Sequence, residues 1–295
     1  MPEVASQHRT GIALIVAAAV AWSTAPFFTR LLPFDSWTIL FWRGLFGGGV
    51  IALVLVVMQG RRGVRDLIAM RPGGWLVAGL STVGMVTFIP SLQLTSVANV
   101  AVIVAVQPFA AAAIAWIWLR ETVRPRTLLA SGVAFAGVVV TVSGAGGIAD
   151  YRGIGLACVM MLAISVMTVA IRRHRETSMV AAAALSNFLG SLVSIPFAQG
   201  LGSVTAADLG LLALFGVCQV GLGLTLFTLG SRLLPSGQAS LIATLETPLM
   251  PFWVWLAFAE APSVRALVGG ALVMGAVVAD VAAERRTQPA QPAER

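Results

Sequence analysis

In a chain of 295 residues, 58% hydrophobic and 11% charged side chains exclude a water-soluble surface over most of the length, since an ordinary soluble domain carries about 25% charged residues. The net charge of +7 rests on 19 basic residues, every one of them arginine, placed in short gaps between apolar blocks. That spacing reads as membrane topology and excludes a nucleic-acid patch.

A block of roughly 17 to 24 apolar residues crosses a ~30 Å hydrocarbon core as a helix, and the chain predicts ten of them. Residues 1–10 form a polar N-terminal tail, and the first block, 11–30, lacks a cleavage site and reads as a retained span. It holds a polar break at Trp22, Ser23 and Thr24, followed by Pro26. The second span, 36–58, carries Arg43 about seven residues from one end, within snorkelling distance of it, and this favours structural pairing over capture of a substrate carboxylate. Trp37 and Trp42 read as interfacial anchors there, and Gly44, Gly47, Gly48 and Gly49 as a close-packing surface. The third span, 73–93, contributes Thr87, Pro90 and Ser91. The fourth, 96–119, contributes Asn99, Gln107 and Pro108, with Trp116 and Trp118 as anchors near its end.

The fifth span, 127–144, has Gly132 and Gly137. After a linker at 145–152 come spans 153–171 with Ser165, 178–199 with Ser186 and Asn187, and 208–230 with Gln219. The ninth, 236–258, contains TLETPLMPFW, in which Thr244, Glu246, Pro248 and Pro251 interrupt an apolar run. The tenth, 264–282, repeats the glycine pattern at Gly269, Gly270 and Gly275, and residues 283–295 form a polar tail. The glycine surfaces suit either packing within the bundle or a homodimer. Cys158 and Cys218 each lie in an apolar run with no CxxC or Cys/His cluster, so neither a disulfide framework nor a metal site is expected.

With ten spans both termini share one side. That side holds Arg9, Arg61, Arg62, Arg65, Arg71, Arg120, Arg124, Arg126, Arg172, Arg173, Arg175, Arg232, Arg285, Arg286 and Arg295. The other holds Arg30, Arg152 and Arg265. The positive-inside rule makes the terminal side cytoplasmic, in an inner membrane.

The chain also repeats itself. Ser96, Pro108 and Glu121 in TSVANVAVIVAVQPFAAAAIAWIWLRE recur at the same spacing as Ser236, Pro248 and Glu260 in PSGQASLIATLETPLMPFWVWLAFAE. Gly11–Arg30 aligns without gaps on Gly153–Arg172, with Ser23 over Ser165. Each copy, 11–144 and 153–282, has five spans. An odd number inverts the second copy, giving an all-α membrane fold of two inverted five-helix repeats.

FWRGLFGG in the second span, TSVANVAVIVAVQP followed by LRE, and LETP followed by FAE together resemble the drug/metabolite transporter superfamily, EamA type. The likeness covers about residues 10–282, and its nearest form is that of bacterial exporters of amino acids, including aromatic ones. It implies export or exchange of small metabolites without a cofactor. The second-half turn AEAPS departs from the more usual GE pair.

Glu246 lies about ten residues, roughly 15 Å, into its span. A carboxylate at that depth costs on the order of 2.5–3.5 kcal/mol and marks an ion path, a substrate contact or a helix-locking hydrogen bond. Pro248 and Pro108 each release backbone carbonyls, tolerated only beside protein or a wet cavity. The substrate-binding set is therefore expected at Trp22, Ser23, Thr24, Thr87, Asn99, Gln107, Ser165, Gln219, Thr244 and Glu246, with hinges at Pro26, Pro108, Pro248 and Pro251. Interhelical hydrogen bonding competes for Thr87, Pro90, Ser91, Asn99, Ser165, Ser186, Asn187 and Gln219. His8 and His174 fall outside the spans and no catalytic set is present, so an enzyme is not expected. Filter sequences and charge rings are also missing, which disfavours a channel. What remains is a secondary transporter of small amino acids or metabolites, apolar or aromatic in preference. A nucleotide-sugar carrier of the same superfamily is the alternative, and a receptor or scaffold the different class. Its partners are an amino-acid-like small molecule and the lipid bilayer, with no nucleic acid.

Overall fold

The computed structural model describes residues 2–120, 125–174, 178–234, 239 and 242–287, and every described regular element is a helix. Helix α1 spans Pro2–Ser23, so the predicted polar tail is helical from its second residue. Thr24 breaks it, and Pro26 sits in the first turn of α2, Ala25–Leu31, where a missing amide costs nothing. Then follow α3, Ser36–Gln59; α4, Arg61–Ile68; and α5, Pro72–Leu94. The fourth predicted span is two helices, α6, Val97–Ala105, and α7, Gln107–Leu119. They are followed by α8, Pro125–Val142; α9, Ile148–Arg173; and α10, Met179–Ser194. The eighth predicted span is α11, Ala206–Phe215, a π-helical segment, Gly216–Leu222, and α12, Gly223–Ser231. Helices α13, Glu246–Phe258, and α14, Val264–Thr287, complete the fold. The expected start of the ninth span with Ser236, the repeat residue Glu121, Arg124, Arg175 and the tail from 288 lie outside the described residues.

Among the described residues, seven stretches are long and apolar enough to cross a membrane: 7–31, 36–59, 72–94, 97–119, 125–142, 148–171 and 206–231. Two shorter apolar helices, Met179–Ser194 and Val264–Ala279, lie alongside them. The predicted 178–199 helix stops at Ser194, ahead of Pro196, and the predicted 145–152 linker shrinks because α9 begins at Ile148. Helix α4 is an element the apolar pattern did not indicate, because arginines dominate its sequence.

Packing depends on small residues, as expected where lipid offers no hydrophobic drive between helices. A Cβ on Gly44 would lie 2.7 Å from the Asn187 carbonyl, and one on Gly47 3.0 Å from that of Gly216, so these glycines seat α3 against α10 and the π segment. Gly137 and Gly269 place α8 against α14 in the same way. These surfaces are used inside the bundle, whereas Gly49, Gly132 and Gly275 face open space. Outward, Leu53, Ile117, Phe135 and Leu256 are all more than 60% exposed, an apolar girdle that suits acyl chains and not water.

The loops sort into two ends. At the N-terminal end Gly11 meets Leu233 and Leu234, Gly73 meets His174, and Ser178 lies near Arg62, Arg65 and Arg71. At the opposite end the Gln199 amide donates to Asp35, Gln93 donates to the Phe34 carbonyl, Thr95 donates to Asp150, and Arg265 donates to the Ser143 carbonyl.

Candidate functional site

Four chain segments lose regular α geometry near mid-bundle. Thr24 separates α1 from α2, Val106 separates α6 from α7, the π segment interrupts the α11–α12 rod, and Thr244–Leu245 form a turn before α13. At three of these breaks an amide tightens to the carbonyl three residues back: Thr24 donates to Ala21 at 3.4 Å, Val106 to Ile103 at 3.2 Å and Thr247 to Thr244 at 3.1 Å. Pro108 and Pro248 cannot continue the i+4 ladder, and the neighbouring amides close the gap. Both prolines lie in the first turn of a new helix instead of within a continuous kinked one.

Between the breaks lies a cavity of about 350 Å³. Trp22, Gln107, Pro108, Thr244 and Glu246 line it, together with Thr168, Phe227, Thr247 and Met274. The Trp22 and Phe227 rings, 5.2 Å apart, form an aromatic wall. It depends on Gly223, where a Cβ would lie 2.4 Å from the Trp22 indole nitrogen. Glu246 is the first residue of α13, where the helix dipole favours an anion. Among the described residues it has no hydrogen-bond or ion-pair partner, and no basic side chain lines the cavity. The site is thus an apolar chamber with sparse hydroxyls, one amide and one carboxylate.

A second cavity of about 250 Å³ shares Thr247 and Met274 with the first and is bordered by Pro248, Pro251 and Gly270. Towards the far end the bundle is filled. The core there includes Phe28, Leu40, Ile89, Leu92, Val100, Phe215, Met250 and Val254, with the Phe28 and Phe215 rings stacked at 4.9 Å. Above it Arg30 forms a two-pronged pair with Glu260, at 2.9 and 3.2 Å, and donates to the Leu92 carbonyl at 2.8 Å. In the sequence Arg30 reads only as a topology marker and AEAPS only as a departure from the usual GE pair. Only the tertiary contact links them.

The remaining expected site residues lie outside the cavity walls. Ser23 is fully buried, donating to Val20 O and accepting from the Trp253 indole, each at 2.8 Å. Thr24 and Thr87 return their hydroxyls to carbonyls of their own helices. Ser165 lies behind the wall, where its hydroxyl reaches the Gln107 carbonyl at 3.3 Å and Met161 O at 2.7 Å. Asn99 belongs to a cluster with Thr95 and Asp150 at the far end. Pro26 is buried in α2.

Gln219 is occupied by Arg43, whose Nε and Nη2 donate to its Oε1 at 3.1 and 2.5 Å while the guanidinium lies 5.2 Å from the Phe215 ring centre. The π segment turns Gln219 towards α3, a displacement that a 3.6-residue pattern does not predict. Trp42 packs between Phe41 and Phe46 with a buried indole N–H, which differs from the expected interfacial anchor. Trp116 is 59% exposed, and Trp118 faces Arg173 at 5.8 Å. Thr168, Phe227, Thr247 and Met274 went unnoticed in the sequence because each looks like ordinary helix packing. The proximity of Gly216, Gly221 and Gly223 was the available signal.

A search of curated proteins finds no match. A solved structure described as "Crystal structure of protein" superposes with a TM-score of 0.62 at 21% identity, over 95% of this chain and 99% of that one, a likeness of fold. The EamA-like transporter family matches twice, at residues 9–143 and 151–279, one match for each half of the chain. The chain therefore belongs to the EamA-like transporter family, multi-pass membrane proteins that transport small metabolites.

Proposed function

We propose that this protein is a secondary transporter that exports or exchanges small amino-acid-like molecules, apolar or aromatic in side chain, by alternating access. The observation that carries the reading is the cavity between the α6–α7 and α13 breaks, one from each family-matched half, where an otherwise apolar wall presents the single unpartnered carboxylate of Glu246. An ammonium group satisfies that carboxylate, and Trp22, Phe227 and Met274 suit an apolar side chain. Gln107, Thr168, Thr244 and Thr247 supply the sparse polar contacts. Pro26, Pro108, Pro248 and Pro251 are the proposed hinges. Arg43 and Gln219 hold α3 to the π segment.

The proposed architecture is ten spans in two inverted five-helix repeats, in the inner membrane with both termini cytoplasmic. Fifteen arginines against three support that orientation. On this reading the conformation is inward-open, because the lining residues run from mid-bundle towards the N-terminal end while the Phe28–Phe215 stack and the Arg30–Glu260 pair fill the other. A nucleotide-sugar cargo is disfavoured, since phosphates demand cations and none lines the cavity among the described residues. Counterflow of radiolabelled aromatic and aliphatic amino acids in proteoliposomes, with and without a pH gradient, tests the proposal. Saturable exchange is expected. Absence of flux with any amino acid, amine or sugar nucleotide would point to a receptor or scaffold.

A further inference from the structure

Helix α4 is not needed by the cavity, yet its sequence is patterned. In RRGVRDLI, Val64, Leu67 and Ile68 recur at i, i+3 and i+4 and form an apolar stripe, with Arg61 and Arg65 along its edge and Arg62 and Asp66 on the opposite side. The helix joins α3 to α5, two stretches long enough to cross a bilayer, so it lies where the membrane meets water. Gly60, at φ +55°, makes the reversal out of α3 that a side chain would resist. Gly63 then rests on the α3 backbone, where a Cβ would come within 2.6 Å of the Leu55 carbonyl. These two glycines hold α4 across the end of the bundle.

Away from the side that Gly63 rests on, part of the apolar stripe and the arginines are left exposed. Ile68 is 80% exposed and Val64 39%, and the side chains of Arg61, Arg62 and Arg65 are exposed. Beside them opens a hollow of about 430 Å³, lined by Arg62, Arg65, Asp66, Ala69, Met70, Arg71 and Ser178. Among the described residues, the exposed guanidinium groups of Arg62 and Arg65 face it, with Asp66 beside them. Ser178 is the N-cap of α10, with its hydroxyl accepting from the Ala181 amide, so the positive end of a 16-residue helix faces the same space.

We infer that α4 and this hollow form a binding site for the headgroup of an anionic phospholipid, with Val64 and Ile68 seated among the upper acyl carbons and Arg62 and Arg65 around the phosphate. A free phosphate would meet the same guanidinium groups but would leave Val64 and Ile68 in water. The adjoining apolar face therefore favours a lipid, which carries both chemistries on one molecule. This site is independent of the transported cargo.

The test is native mass spectrometry of the full-length protein in non-ionic detergent, titrated with phosphatidylglycerol, phosphatidylcholine or inorganic phosphate. A retained phosphatidylglycerol adduct is expected, not displaced by phosphatidylcholine. Arg62→Gln with Arg65→Gln should weaken it roughly 25-fold, at about 5-fold per basic residue. Arg9→Gln with Arg120→Gln removes the same charge elsewhere at this end and should leave the adduct unchanged. Ile68→Ser should weaken phosphatidylglycerol without altering phosphate binding. Equal losses in the two double variants would reduce the effect to general charge attraction and overturn the site. Phosphate binding as tightly as the lipid, or an Ile68→Ser variant with undiminished lipid affinity, would overturn the lipid as its ligand. Size-exclusion profiles matching the wild type keep each variant interpretable.

Discussion

Replacing Glu246 with glutamine probes the cavity most directly. The carboxylate lines an open chamber and has no protein partner among the described residues, so little intramolecular bonding is lost. Any loss of fold stability should stay within about 1 kcal/mol, the size of an anion's interaction with a helix N-terminus. Binding of an ammonium should respond far more. A hydrogen bond to a charged group contributes about 1.5–3 kcal/mol and a neutral one about 0.5–1.5. Exchanging one for the other should weaken the apparent affinity by on the order of 1–1.5 kcal/mol, roughly 5- to 12-fold. Glu246→Ala, which removes both, should lose roughly 10- to 150-fold.

Inhibition of counterflow by an aromatic amino acid and by its carboxamide provides the assay. Because no cationic side chain lines the cavity among the described residues, the carboxamide should compete at least as well as the free acid in the wild type and suffer at least as much in both variants. If Glu246 instead carries the coupling proton, Glu246→Gln should preserve exchange and abolish the response to a pH gradient. Unchanged affinity and coupling together with a clearly lowered unfolding temperature would refute both roles and make the residue a packing element.

Cysteines at Gln107, Thr168 and Thr244, in a chain without Cys158 and Cys218, should react with small water-soluble thiol reagents and be protected by transported cargo. A cysteine at fully buried Ser23 should stay inert. Gly132, with open space on the lipid-facing outer surface of α8, is the control whose cysteine should stay unreactive with or without cargo. Gly223→Ala should displace Trp22 from the wall, costing about 1–3 kcal/mol of stability, visible as a lower unfolding temperature and a raised KM for aromatic cargo. Asp35 has its carboxyl held below its ordinary value of 3.8: burial alone would raise it, but bonds from the Thr38 hydroxyl and the Thr38, Gln199 and Trp37 amides together prevail. Its contribution is present above pH ~3.8 and is lost as pH falls through the depressed native value. Wild type and Asp35→Asn should therefore differ in unfolding temperature at neutral pH and converge only as pH falls below 3.8 and through the depressed native value. A cytoplasm-dependent reporter after Arg295 should be active and one inserted between Gly146 and Gly147 inactive, and an active insertion would break the ten-span reading.

Much of this protein is determined by local, one-dimensional properties. Block length and arginine spacing make a helical membrane bundle, because lipid tolerates only backbone whose amides are satisfied within the segment. The duplicated Pro108 and Pro248 mark the two half-helix starts, since a proline has no amide to continue a ladder wherever the chain later packs. Glu246 is legible for the same reason: a charge deep in an apolar run is costly in any fold. Tertiary structure alone decided which polar residues share the cavity. Ser23, Gln107, Asn99 and Gln219 look alike in sequence, yet Ser23 meets Trp253, Asn99 meets Asp150, Gln219 is turned onto Arg43 by a π segment, and only Gln107 faces the chamber. A hydroxyl or amide in a membrane helix bonds whatever neighbouring helix comes within reach, and helix rotation and neighbour identity are set by contacts between glycines and backbones distant in the chain. The Arg30–Glu260 pair, 230 residues apart, is decided in the same way.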